Sequence, residues 1–259
     1  MSAGVERIAA AFRGHGRAAA LMPYLMGGYP DVRASIESAQ AAADAGADLI
    51  ELGVPFSDPL ADGPVIHAAA TAALAGGVRL HDVLGVAREA SEALPVVLMV
   101  YANVVLRRGV ERFVDEAAGA GAAGVIVPDL PYDEASAVRE ACDRAELALV
   151  PLVAPTTTPE RVVEIGRDAR GFVYTVSLSG TTGERDELPP ELGATVERVR
   201  AATDVPVAVG FGISTAEHAR QVAAVADGVI VGSRIVRAAG EGGAEAVGAV
   251  VRELGSGLE

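Results

Sequence analysis

Eight short, continuous runs of apolar and largely β-branched residues recur along the chain, and they constrain its fold more than any other feature. They lie at 19–26 (AALMPYLM), 48–52 (DLIEL), 95–101 (PVVLMVY), 124–128 (GVIVP), 147–153 (LALVPLV), 172–178 (FVYTVSL), 205–210 (VPVAVG) and 228–232 (GVIVG). A strand with one wet face alternates apolar and polar residues, whereas a strand covered on both faces reads as an unbroken run. Helical patterns such as RASIESAQAAADAG and EHARQVAAVADG fill the intervals, the first ending in the glycine expected just past a helix. A weak repeat (AGADLIELG, AGAAGVIVPD, VADGVIVGS) joins a helix end to a strand start three times. Eight such units in 259 residues predict an α/β chain folded as a single (β/α)8 TIM barrel spanning 1–259.

The opening residues, MSAGVERIAAAF, place Glu6 and Arg7 where a signal peptide would be apolar. They predict an extra N-terminal amphipathic helix. No run approaches the eighteen or so apolar residues that a membrane span needs, so the expected compartment is the cytoplasm. The formal net charge is −14, which offers no basic field to nucleic acid or to an anionic membrane. The single cysteine, Cys142, excludes an internal disulfide, and its helical surroundings predict a half-buried structural residue. All 21 basic residues are arginine. Without lysine, no imine to a carbonyl substrate forms and pyridoxal phosphate has no anchor in this chain.

Two loops that follow strands are longer than the usual two to six or so residues: 53–63, and about 179–190. Both leave carboxyl ends of strands, the face on which barrel active sites are built. Glu51 closes the second strand, where a carboxylate is costly unless it meets a polar cavity or is used. A carboxylate merely hydrogen-bonded to neighbouring strand ends is the simpler alternative. Asp62 precedes Pro64, the natural first residue of a helix, so it either joins Glu51 or simply caps that helix.

Three glycine-containing turns, GTTG (180–183), GFGIS (210–214) and VGSRI (231–235), suit a phosphate held by backbone amides. Arg234 is placed either to join that anion or to face outward. His15, His67, His81 and His218 stand away from strand ends and lack metal-ligand spacing, so no metal site is expected. Tyr24, Tyr101 and Tyr174 lie in or at the ends of strands, where core packing and pocket lining are equally open to them.

These residues carry a resemblance. PYLMGGYPD (23–31), AGADLIELGVPFSDPLADGP (45–64), MVYANVV (99–105), GVIVPDLP (124–131), SLSGTTG (177–183), GFGIS and GVIVGSRIV (228–236) are similar to motifs of the tryptophan synthase α subunit family over nearly the whole length. The resemblance implies retro-aldol cleavage of indole-3-glycerol phosphate to indole and glyceraldehyde 3-phosphate. It implies that Glu51 and Asp62 are catalytic and that Tyr174 and Thr182 orient the substrate or its acid–base group. It further implies a phosphate site at Gly183, Gly212, Ile213, Gly232 and Ser233, and an indole pocket of Tyr24, Ile66, Met99, Ile126 and Phe211. Two positions depart from the usual pattern: Tyr24, where many members have Phe, and Leu178, where a basic residue is common. The implied partner is a pyridoxal-phosphate β subunit in an α2β2 heterotetramer, docking near Asp58, with no cofactor in this chain. A free-standing lyase, a sugar-phosphate isomerase and a silent regulatory subunit are the competing expectations.

Overall fold

The computed structural model describes residues 4–176, 192–210 and 212–259. The described strands are β1 (Ala20–Met26), β2 (Ile50–Gly53), β3 (Val96–Met99), β4 (Gly124–Ile126), β5 (Ala148–Leu149), β6 (Leu152–Val153), β7 (Val173–Val176), β8 (Val207–Gly210) and β9 (Gly228–Val231). All neighbours pair in parallel, in the order β5-β4-β3-β2-β1-β9-β8-β7-β6. Both ends of that order come from one expected run, 147–153. It divides around Val150–Pro151, where proline has no N–H to give a ladder. Val150 N–H donates to Val125 on one side (2.9 Å), and the Pro151 carbonyl accepts from Tyr174 N–H on the other (2.9 Å). The split fifth strand therefore closes the ring, and the parallel barrel is the expected one.

Alternate residues of the strands serve two different cores, as the period of two requires. Ala20, Met22, Val97, Ile126, Ala148, Tyr174, Ala208 and Ile230 meet inside the barrel. Their neighbours Leu21, Ile50, Leu98, Val125, Val173, Val209 and Val229 join the outer layer under the helices. This double coverage explains why the strands read as unbroken apolar runs.

The expected N-terminal helix is present at Gly4–Gly14. Its buried residues Ile8 and Phe12 belong to the barrel-interior cluster, and the Phe12 ring lies 5.5 Å from that of Phe172. Small residues at the amino ends of the strands make room for it. A Cβ on Gly228 would approach the Phe12 ring at 2.8 Å, and one on Gly171 would approach Ile8 at 3.2 Å. The helix thus stoppers the floor of the barrel. Cys142 is fully buried rather than half-buried, and burial pushes its thiol up to about 12. Among the described residues no helix is long and apolar enough to cross a membrane, and no three His, Cys, Asp or Glu side chains gather as a metal site would require.

Candidate active site

At the carboxyl end the barrel interior changes from aliphatic to polar. Tyr24 on β1 and Glu51 on β2 are register partners, so their side chains leave the sheet on the same side, inside the ring. Tyr174 enters the same space from β7. Glycines on the adjoining strands accommodate the two rings. A Cβ on Gly53 would fall 1.9 Å from the Tyr24 hydroxyl, and one on Gly210 would fall 2.1 Å from the Tyr174 hydroxyl.

Glu51 is 1% exposed, and neither of its carboxyl oxygens has a hydrogen-bond partner among the described residues. The simpler alternative, a carboxylate tied to neighbouring strand ends, does not hold. Burial first, and then the nearby charge of Asp62, raise its pKa to about 8. A carboxyl group in this state holds its proton at neutral pH and is a competent acid.

Asp62 is half-buried at the end of the long loop. The helix that follows, Pro64–Ala75, has Gly63 as its N-cap and no side-chain cap. Asp62 is therefore not the capping residue, and its charge acts on both Glu51 and Tyr24. Burial raises its pKa, while a hydrogen bond from Tyr101 and the field of His67 oppose the rise. Tyr24 feels both carboxylates, and its phenol, like that of Tyr174, is held well above the ordinary value chiefly by burial.

The expected apolar wall is partly assembled. Tyr24 and Ile66 are buried in one cluster, with Met99 packed against it. Ile126 lies in the barrel-interior cluster that Met99 also touches. Phe211 lies outside the described residues, as do Thr182, Gly183 and Leu178.

On the other flank of β1, after β8, Gly212 takes a φ of 48° and Ile213 is buried. Gly232 is the N-cap of the helix Ser233–Gly255, so Ser233 and the free amides of its first turn face the mouth end. A Cβ on Gly232 would stand 3.3 Å from Ile66 and 3.9 Å from Tyr24. The turn expected to hold phosphate thus abuts the wall expected to hold the ring. Arg234 faces away from that space. It is bound to the Ser214 carbonyl and to Glu253 (2.6 Å), linking the two glycine turns from behind.

One neighbour of Asp62 carries no distinguishing signal in the sequence. Tyr101 is 3% exposed, its hydroxyl accepts from Ala61 N–H at 3.1 Å, and its ring stacks on Phe56 with centroids 5.0 Å apart. A tyrosine at a strand end gives no sign of which loop it will meet, so this contact had no signature in the sequence.

A family model described as tryptophan synthase alpha chain matches residues 11–255. The chain belongs to the tryptophan synthase alpha chain family. The tryptophan synthase alpha chain of Synechococcus elongatus is 48% identical over 248 residues, covering 95% of this chain and 93% of its own. That of Streptomyces coelicolor is 50% identical over 230 residues, covering 88% and 84%. The Mycobacterium tuberculosis tryptophan synthase structure superposes with a TM-score of 0.92 at 44% identity, covering 97% of this chain and 98% of that one. A chain of the Pyrococcus furiosus tryptophan synthase α2β2 complex gives a TM-score of 0.85 at 39% identity, covering 92% and 98%. The likeness to tryptophan synthase alpha chains thus extends over nearly the whole chain, in sequence and in fold.

Proposed function

We propose that this chain, acting as one (β/α)8 domain over 1–259, is the α subunit of tryptophan synthase and cleaves indole-3-glycerol phosphate to indole and glyceraldehyde 3-phosphate. One observation carries the catalytic assignment: the buried carboxyl group of Glu51, without a hydrogen-bond partner among the described residues, lies inside the barrel in register with Tyr24 of the apolar wall and within the field of a second carboxylate.

The bond to be broken joins the indole C3 carbon to the carbinol carbon of the glycerol chain. With no lysine available to form an imine, the substrate's own ring serves as the electron sink. Glu51 delivers its proton to C3, which places positive charge on the ring nitrogen side. Asp62 accepts a hydrogen bond from the ring N–H and stabilises that charge. The Glu51 carboxylate then takes the carbinol hydroxyl proton. The C–C electrons return to the ring, indole is restored, and the carbinol carbon leaves as an aldehyde. Glu51 ends the cycle protonated as it began, and a placed acid–base group of this kind contributes about 10²–10⁴-fold.

Tyr174 orients Glu51, and Thr182 assists from the second long loop. Tyr24, Ile66, Met99, Ile126 and Phe211 hold the ring. Gly183, Gly212, Ile213, Gly232 and Ser233 hold the phosphate, mainly through amides at a helix start, which reconciles anion binding with a net charge of −14.

The partner is a β subunit carrying pyridoxal phosphate, with which the chain forms an α2β2 heterotetramer in the cytoplasm, and which condenses the released indole with serine. Asp58 and Leu60, which is 85% exposed at the apex of the loop, are placed for that contact. No cofactor is assigned to this chain. Indole release from indole-3-glycerol phosphate, measured with and without a tryptophan synthase β subunit, tests the proposal. Release that rises when β subunit is added is the expected result; no indole under either condition would overturn it.

A further inference from the structure

We propose that Tyr101 is the positioning residue for Asp62, fixing through one hydroxyl both the path of the 54–63 loop and the direction of the carboxylate at its end. This inference rests on the reading of Asp62 as the group that meets the indole N–H.

Spacing along the chain gives Asp62 no reason to turn inward. The loop leaves β2 with Val54 N–H donating to the Met99 carbonyl at 2.8 Å, and it ends at Gly63, where His67 N–H donates to the glycine carbonyl at 2.9 Å. Between those points Tyr101 anchors the loop at two places. Phe56, early in the loop, lies against its ring, and Ala61, late in the loop, donates its N–H to the hydroxyl oxygen at 3.1 Å.

A phenol oxygen that accepts one hydrogen bond still has its own proton to give, and the Asp62 carboxylate, one residue beyond Ala61, is the acceptor close enough to perturb and be perturbed by it. Accepting from the backbone and donating to the side chain of consecutive residues defines a direction as well as a distance. Tyr101 is itself well fixed. It is the N-cap of the helix Ala102–Arg108, and the next amide, Ala102 N–H, donates to Asp129 at 2.7 Å. Burial, the nearby Asp62 and Asp129 hold its phenol protonated, so the donor persists across the working pH range.

The charged and titratable groups around Asp62 are Glu51 on β2, Tyr24 on β1, Tyr101 after β3 and His67 on the following helix. Of these, Tyr101 supplies the hydrogen bond that favours the ionised carboxylate. Removing it must raise the pH at which Asp62 loses its proton.

Tyr101→Phe is the test, because it keeps the ring on Phe56 and deletes only the hydroxyl. NMR titration of carboxyl-labelled protein should show Asp62 titrating at higher pH in Tyr101→Phe than in the parent chain. The acid limb of kcat/KM for indole release should move upward with it, and kcat/KM near neutral pH should fall about tenfold, the usual worth of one hydrogen bond to a charged group. An unchanged Asp62 titration would overturn the proposal. The titration needs no turnover, so a chain that released no indole would fail the functional reading while this one was still tested.

Discussion

Tyr24 and Gly53 divide one volume between them: the tyrosine hydroxyl lies 1.9 Å from where a Cβ on the glycine would stand. Because Tyr24 is also the register partner of Glu51, the glycine sets how deeply the ring sits beside the Glu51 carboxyl. Gly53→Ala should push Tyr24 out of its place. Overpacking of this kind costs about 1–3 kcal/mol, so thermal unfolding should shift down and indole release should fall sharply. Unchanged melting with full activity would show that the volume is not shared.

Protonation of Glu51 gives a second expectation. Its carboxyl is held at about 8 by burial and, secondarily, by Asp62. On the proposed mechanism the acid that starts the reaction is therefore present below that pH and lost above it. A pH profile of kcat/KM for indole release should decline as the pH rises through about 8. In Asp62→Asn, which removes the neighbouring charge, whatever activity remains should begin its decline at a lower pH. A flat profile from neutrality to well above this range would remove Glu51 from the acid role.

Glu51→Gln should abolish turnover while a non-cleavable indole phosphate analogue still binds. Stability should change in the opposite direction. The folded pKa of about 8 exceeds the ordinary 4.5, so the native state holds its proton more tightly than the unfolded chain. Stability of the parent chain is therefore fullest below about 4.5 and is lost as pH rises through about 8. By the linkage between pKa and folding, the effect amounts to roughly several kcal/mol. The glutamine variant escapes this loss, and calorimetry should find its advantage growing from acid to alkaline pH. An advantage independent of pH would contradict the linkage.

The stopper helix makes a prediction away from the chemistry. Phe12→Ala empties a site between Phe172 and the start of β9. Buried Phe-to-Ala changes cost about 3–5 kcal/mol, which should appear as a lower denaturation midpoint. KM for indole-3-glycerol phosphate should stay near its parent value, since the helix touches the opposite end of the barrel. A large change in KM with little loss of stability would place the helix elsewhere in the function.

The barrel was legible in the sequence because burial on both faces leaves a strong mark, an apolar run without alternation. In the sequence the fifth run, 147–153, reads as one strand. The structure breaks it at Pro151, where a missing N–H interrupts pairing while both neighbours remain in reach. Glu51 stood out as a carboxylate closing an apolar strand. Its partner did not, because the course of a ten-residue-scale loop depends on distant contacts that spacing does not encode. Asp62 before Pro64 read equally as a helix cap, and only the uncapped Gly63 and the Tyr101 hydrogen bond separate the two roles. Tyr101 itself was one strand-end tyrosine among three, with nothing local to distinguish the one that holds a loop.

Because Ile8 and Phe12 seal the lower end of the barrel, the barrel interior is open only at the carboxyl end of its strands. Whatever enters must cross the same rim by which products leave. Indole therefore cannot drain through the barrel axis, and its onward route is settled by what lies over the mouth. A partner seated there would receive it before solvent did, so a closed floor turns a small apolar product, which would otherwise escape in any direction, into one-way cargo.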